Sequence, residues 1–220
     1  MAAIAIDGPA GAGKSTIAKK VAKELGYIYV DTGALYRAIA YYLLTNQIDI
    51  ENEESLTKAC DRITIRIAYE QDAQQVYLNE ENVTPYLRTE ETGNMASKSS
   101  AKPQVRAALL DLQRNMAKEY DVVMDGRDIG TNVLPDAEVK IYLTASSKER
   151  ANRRYKELVE KGENADFDKI EADIIERDNR DMNRAIAPLK QAEDAVLVDS
   201  SDMSIAQVVD TILTSAKNKL

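Results

Sequence analysis

The stretch Gly8-Pro9-Ala10-Gly11-Ala12-Gly13-Lys14-Ser15, followed by Thr16, decides the fold. It is preceded by Ala3-Ile4-Ala5-Ile6, a short apolar run ending on the turn signal Asp7-Gly8, which reads as a buried strand. After it, Ile17, Val21 and Leu25 recur at helical spacing, and Gly26 stops the helix. The eight residues match G-x-x-x-x-G-K-[ST]. Glycines let the backbone wrap an anion with its N–H groups, and the helix points its positive end at the same place. In such a loop the lysine reaches the β and γ phosphates of a nucleotide and the hydroxyl ligates magnesium, roles that fall to Lys14 and Ser15. A glycine-rich turn arising by chance need not follow a strand and open a helix; this one does both. Gly8 through Thr16 are therefore the expected ATP-binding residues.

Outward from the loop, Tyr27 to Val30 reads as a second strand, and Leu35, Ile39, Tyr42 and Leu43 as a second helix. Alternating strands and helices imply a parallel sheet with covered faces, so the expected class is α/β with the P-loop NTPase fold. The middle of the chain differs. Ile63, Ile65 and Ile67 alternate with polar residues, Gln71-Asp72-Ala73-Gln74 forms a polar turn, and Val76-Tyr77-Leu78 follows, which predicts a small antiparallel insertion over about 62–88. Pro103 opens a helix with a stripe of Val105, Leu109, Leu112 and Met116. Val122–Met124, Val139–Leu143 and Val196–Val198 read as further strands, residues 146–187 as charged and helical with a break near Gly162, and Ile205 to Ala216 as a closing helix. One domain over 1–220 is expected: a core at about 1–31, 103–145 and 186–220, an acceptor-binding region at about 32–102, and a helical lid at about 150–165.

Composition narrows the chemistry. The 220 residues include no histidine and one cysteine, Cys60. Histidine bases, Ser-His-Asp triads and most zinc sites are thereby excluded, as is an intramolecular disulfide. Carboxylates, lysines, arginines and backbone amides suffice for phosphoryl transfer, whose catalysis is mostly positioning and charge stabilisation. A net charge of −8 argues against a nucleic-acid partner. No apolar run is long enough for a membrane span, and the N-terminus lacks signal-peptide character; a cytoplasmic monomer is expected.

Three segments suggest an acceptor site for a phosphorylated substrate. Asp31-Thr32-Gly33-Ala34-Leu35-Tyr36-Arg37 lies where a strand meets a helix, the crevice side of such a sheet, with Thr32 placed to cap the helix. Met124-Asp125-Gly126-Arg127-Asp128-Ile129-Gly130-Thr131 ends another strand, where Asp125 would face the magnesium shell. Glu176-Arg177-Asp178-Asn179-Arg180-Asp181-Met182-Asn183-Arg184 places Arg177, Asp181 and Arg184 on one helical face. Each has an ordinary reading as a capped helix, a polar turn or a solvated, ion-paired helix. Beside a phosphate-binding loop, arginines suit phosphate because the planar guanidinium binds oxygens bidentately.

Taken together, the loop and the runs DTGALYR, ASKSSAKPQVRAALL, DGRDIGT and ERDNRDMNRAIAPL resemble the bacterial cytidylate kinases, a branch of the nucleoside monophosphate kinases. The agreement covers nearly the whole chain. The resemblance implies transfer of a phosphoryl group from ATP, with Mg2+, to CMP or dCMP. It implies that Arg37, Arg127 and Arg184 hold the CMP phosphate, that Ser97, Arg106 and Asp128 read cytosine, that Thr32 faces the nucleotide, and that Arg177 and Asp181 hold the ribose. Lys14, Asp125, Arg127 and Arg184 would form the catalytic set, with Ser15 on the metal and lid residues Arg153 and Arg154 closing over ATP. One contact has independent chemical sense: the N4 amino group of cytosine donates to a carboxylate such as Asp128, whereas uracil presents an acceptor there. The rivals are a related kinase for UMP, AMP, a sugar or a shikimate-like acid, a guanine-nucleotide switch, for which no Asn-Lys-x-Asp signal is present, and a nucleic-acid binder.

Overall fold

The computed structural model describes residues 1–71 and 73–220, and these fall into two compact units, Met1–Tyr29 with Tyr120–Leu220, and Val30–Glu119. The first carries a five-stranded sheet. Its strands are β1 (Ala3–Asp7), β2 (Ile28–Asp31, whose last residues begin the second unit), β6 (Val122–Gly126), β7 (Val139–Thr144) and β8 (Val196–Asp199), in the order β2-β6-β1-β7-β8. β1 runs parallel to both β6 and β7, and β7 parallel to β8. β1, β6 and most of β7 are buried along their length, which is why they read as continuous apolar runs rather than alternating ones. Helix α1 (Lys14–Leu25) contributes Ile17, Ala18 and Val21 to the core under this sheet, and α8 (Ile205–Lys217) contributes Val208, Ile212 and Ala216. Gly26 ends α1 at φ 71°, with its N–H on the carbonyls of Ala22 and Lys23, as expected. The charged region forms α6 (Ser147–Glu160) and α7 (Phe167–Asn183), which pack on each other.

The second unit contains α2 (Thr32–Thr45), α3 (Glu53–Cys60), the antiparallel sheet of β3 (Ile65–Glu70), β4 (Ala73–Leu78) and β5 (Glu81–Asn82), then α4 (Glu90–Ser99) and α5 (Pro103–Glu119). The insertion is antiparallel as expected, starting at Ile65 because Ile63 is still in the turn after α3; Asp72 of the expected polar turn lies outside the described residues. Helix α5 differs from expectation. It belongs with this unit and not with the sheet, because Val105 and Leu109 close over Leu35, Ile39, Leu43, Leu56 and Val76. At roughly 1.5–3 kcal/mol for each such side chain removed from water, these residues give the unit a core of its own. Helices α3 and α4 are short and largely polar; Asn52 and Thr89 cap them and glutamates fill their first turns. Among the described residues, no helix is long and apolar enough to cross a membrane.

Candidate active site

Strand β1 delivers Asp7 and then Gly8 to the edge of the sheet. Gly8 has φ 154°, and a Cβ there would lie 1.9 Å from the Leu143 carbonyl oxygen, so the chain can pass β7 this closely only with glycine. Lys14, a residue 6% exposed, donates from its ammonium to the Pro9 carbonyl at 2.7 Å. Burial, and then the Arg127 charge, push its pKa well below the usual lysine range. An anion arriving in the loop would relieve both. Ser15 Oγ donates to Asp125 Oδ2 at 3.0 Å, and Tyr29 Oη donates to Oδ1 at 2.8 Å. Asp125 thus ends β6 with its carboxylate beside the loop serine, as expected for a Walker-B-like residue. These hard oxygen donors fit magnesium, which binds through one or two protein oxygens together with phosphates and water.

Asp7 was not singled out by its sequence context. Its two oxygens accept from the N–H groups of Ile129 and Gly130, at 2.8 and 2.7 Å, capping a single π-helical turn at Ile129–Val133 and fixing the loop that carries Arg127 and Asp128. Burial raises its pKa to about 6 despite these two bonds. A carboxyl whose folded value lies above its ordinary 3.8 binds more protons folded than unfolded between those pH values. Its stabilising contribution is therefore complete below about pH 4 and is lost as pH rises through 6, an effect of about 3 kcal/mol at most. Urea unfolding of the protein and of Asp7→Asn across pH 4–7 should show this slope in the parent and not in the variant; parallel curves would show that Asp7 does not titrate in this window.

The arginines of the first unit are already paired. Arg127 Nε donates to Asp181 at 3.0 Å, and Arg184 Nη2 donates to Asp128 Oδ1 at 3.0 Å, with Asp128 Oδ2 accepting from Asn132 at 3.1 Å. Burial acts to raise the Asp181 carboxyl, but Arg127, Arg177 and Arg184 outweigh it and hold it below the usual aspartate value. Arg177 and Asp181 share a face of α7. Arg184 does not: it lies just past the helix end at ψ 142°, its Nε on the Ala187 carbonyl, so the expected three-residue helical face is corrected to two residues and a capping arginine. Turning out of the helix is what lets Arg184 reach Asp128. In the lid segment, Arg153 is bound to Glu149 and to Ser200, and Arg154 pairs with Glu157 along the helix. Also on α6, Arg150 reaches the glycine-rich loop, its Nη1 donating to the Ala10 carbonyl at 2.8 Å.

The second unit holds the other expected residues. Thr32 is the first residue of α2 and is buried, but the cap is Asp31, which accepts from the Ala34 N–H at 2.9 Å and pairs with Arg88 at 2.7 Å. Asp31 has the extended backbone of an N-cap, whereas Thr32 is already helical, so the capping position falls to Asp31. Gln74 of β4 bonds both backbone groups of Asp31, tying the insertion to this turn. A Cβ at Gly33 would lie 3.1 Å from Asp31 Oδ1 and 3.3 Å from Arg37 Nη1, so glycine leaves room for both side chains. Arg106 lies over the Tyr36 ring and donates to the Ser100 carbonyl. The Ser97 hydroxyl is buried and makes no hydrogen bond among the described residues, which suits a group that a ligand satisfies.

A parallel sheet in the order β2-β6-β1-β7-β8, a phosphate loop at the end of its central strand, a serine–aspartate pair beside that loop and a set of carboxylate-paired arginines define a P-loop phosphotransferase. A family model described as cytidylate kinase matches residues 4–218. The chain is 49% identical over 209 residues to a cytidylate kinase of Exiguobacterium sp., covering 95% of this chain and 93% of that protein. It is likewise 49% identical over 217 residues to a cytidylate kinase of Listeria monocytogenes, covering 99% and 96%. The chain belongs to the cytidylate kinase family. A solved structure of an uncharacterized protein from Eubacterium ventriosum, 13% identical, aligns over 97% of each chain with a TM-score of 0.51, a likeness of fold alone.

Proposed function

We propose that this enzyme transfers the γ-phosphoryl group of ATP to CMP and dCMP, releasing ADP and the nucleoside diphosphate. The observation that carries this reading is the arrangement at the ends of β1 and β6: a lysine-bearing phosphate loop, Ser15 on Asp125, and Arg127 and Arg184 neutralised by Asp181 and Asp128. A buried Arg184 and a partly buried Arg127 need counter-charge when no phosphate is bound, and the aspartates supply it. Incoming phosphate oxygens would take over part of that role from Asp181.

In the proposed mechanism an oxygen of the CMP phosphate attacks the γ-phosphorus in line. The new O–P bond forms as the bond to the β-phosphate oxygen breaks, and ADP leaves with the electron pair. No general base is needed, because a phosphate monoester with a second pKa near 6 is largely ionised at neutral pH, in keeping with a chain that lacks histidine. The amides of Gly11 to Thr16 and Lys14 stabilise the charge on the moving group. Ser15 and Asp125 would hold Mg2+, which neutralises phosphate charge when bound with ATP. Arg127 and Arg184 hold the acceptor phosphate, and Asp128 reads the cytosine amino group, from which a carboxylate can accept a hydrogen bond. Arg177 and Asp181 hold the ribose. From the second unit, Arg37 serves the acceptor phosphate, while Thr32, Ser97 and Arg106 serve the nucleoside. Arg153 and Arg154 are assigned to ATP. The same reading places a monomeric enzyme in the cytoplasm, where its nucleotide substrates are held.

The test is a coupled assay of ADP release with ATP, Mg2+ and a panel of CMP, dCMP, UMP, AMP and shikimate. Release should depend on CMP or dCMP, with UMP much poorer. Release with shikimate alone, or with no acceptor tried, would overturn the assignment.

A further inference from the structure

The P-loop residue Ala10 is gripped on both of its backbone polar groups by one buried ion pair. Its N–H donates to Asp178 Oδ1 at 3.2 Å, and its carbonyl accepts from Arg150 Nη1 at 2.8 Å. The same Nη1 lies 2.7 Å from Asp178 Oδ2, and the side chains are 6% and 10% exposed. Arg150 is fixed from behind as well, its Nε donating to the Ala145 carbonyl at 2.8 Å. The loop is therefore held by α6 through Arg150 and by α7 through Asp178, with few polar groups of the network left to water.

Asp178 stands three residues before Asp181 in α7, so the two project from neighbouring turns of one face. Asp181 holds Arg127, on the loop that follows β6; Asp178 holds the loop that follows β1. One rigid helix thus fixes both loops with adjacent carboxylates.

We infer that Asp178, acting with Arg150, is a positioning residue for the ATP cradle, setting the backbone of the loop at Ala10 while its neighbour Asp181 serves the acceptor side. This rests on the reading of Gly8 to Ser15 as the ATP site. A buried ion pair is weak evidence of net stability, since desolvation of both charges offsets their attraction. Its value here is geometric. Phosphate amides gain their effect from being preorganised, and a misplacement of about 1 Å in a positioned site can cost as much as a hundredfold in rate.

The experiment compares the parent enzyme with Asp178→Asn and Arg150→Lys, varying ATP at saturating CMP and CMP at saturating ATP. Asp178→Asn keeps an acceptor for the Ala10 N–H but loses the charge that orients Arg150; Arg150→Lys keeps the charge but loses the Nε donor to the Ala145 carbonyl and the planar guanidinium that fixes Nη1 between Ala10 and Asp178. Asp178→Asn should raise KM for ATP by about tenfold or more and KM for CMP by less than about threefold. Arg150→Lys should show the same ATP-selective rise, and it decides the matter if Asp178→Asn does not accumulate as folded protein. A purely structural role would lower the active fraction while leaving both KM values alone, and that result, or an equal rise in both, overturns the inference. A parent enzyme with no CMP-dependent turnover would instead overturn the assignment of the site, which separates the two failures.

Discussion

Lys14→Ala is expected to lower kcat by about two to three orders of magnitude while changing KM for CMP by less than about threefold. The reason lies in where the ammonium sits. It is buried, donates to Pro9 and feels the Arg127 charge, so without nucleotide it is held in an unfavourable state. Interaction with phosphate oxygens whose charge grows during transfer is what it is built to gain, and an interaction made mainly in the transition state appears in kcat. Alanine removes that gain and also relieves the repulsion with Arg127, so the fold should not suffer; the thermal midpoint should stay close to that of the parent. Steady-state kinetics on the folded variant decide the point. Turnover within a factor of three of the parent would mean that Lys14 has no part in the chemistry, and the phosphate loop would have to be reinterpreted.

Asp128→Ala is expected to act twice. The Asp128–Arg184 pair is almost wholly buried, its side chains 5% and 6% exposed. Deleting Asp128 leaves the buried Arg184 short of counter-charge, with Asp181 still acting on it, at a cost of up to about 3–5 kcal/mol. In addition, the carboxylate proposed to accept from the cytosine amino group is gone, so the ratio of kcat/KM for CMP over UMP should narrow by roughly ten- to a hundredfold, the equivalent of about 1–3 kcal/mol. The two effects can be separated. In the double variant Asp128→Ala/Arg184→Ala the stranded charge disappears, and part of the lost stability should return in a urea titration. The double variant also loses a proposed phosphate ligand, so specificity is read from Asp128→Asn, which keeps one oxygen beside Arg184. Its side-chain amide presents a donor as well as an acceptor, and it should accept UMP better than the parent does. An unchanged CMP to UMP ratio in both Asp128 variants would remove Asp128 from base recognition while leaving its role beside Arg184 intact.

The ion pairs of this site also bear on pH. Asp181 is held below the usual aspartate value by three guanidinium groups, so its stabilising contribution is present at neutral pH and is lost as pH falls through its folded pKa. Asp7 runs in the opposite sense, contributing most in acid and least at neutral pH. The two carboxylates, both buried, one at the end of β1 and the other on α7, differ because Asp181 faces arginines whereas Asp7 faces two backbone amides, which do not overcome its burial.

The phosphate loop and the strand before it were legible in the sequence because their constraints are local. Gly8 must pass β7 within touching distance, and the lysine and serine must open α1; spacing along the chain alone encodes this. The apolar runs of β1, β6 and β7 were equally legible, since a strand buried on both faces announces itself without reference to its neighbours. The family resemblance extended the reading to the arginines. What spacing could not express was pairing across the chain. Asp31 and not Thr32 caps α2, because the cap depends on the backbone angles at the turn. Helix α5 joins the second unit because its apolar stripe fits Leu56 and Ile39, a choice of partner that periodicity leaves open. Arg184 leaves the helical face of Arg177 and Asp181 to meet Asp128, 56 residues away in sequence. Asp7 and Asp178 looked like a strand-ending turn residue and one charge among many on a solvated helix. Only the tertiary structure brings Asp7 to the amides of Ile129 and Gly130, and Asp178 with Arg150 to Ala10, because a buried carboxylate must find its donors wherever the fold places them. The sequence by itself determined the strand, glycine-rich loop and helix around Gly8 to Ser15; the tertiary structure decided which distant side chains, Asp178 and Arg150, bond that loop at Ala10.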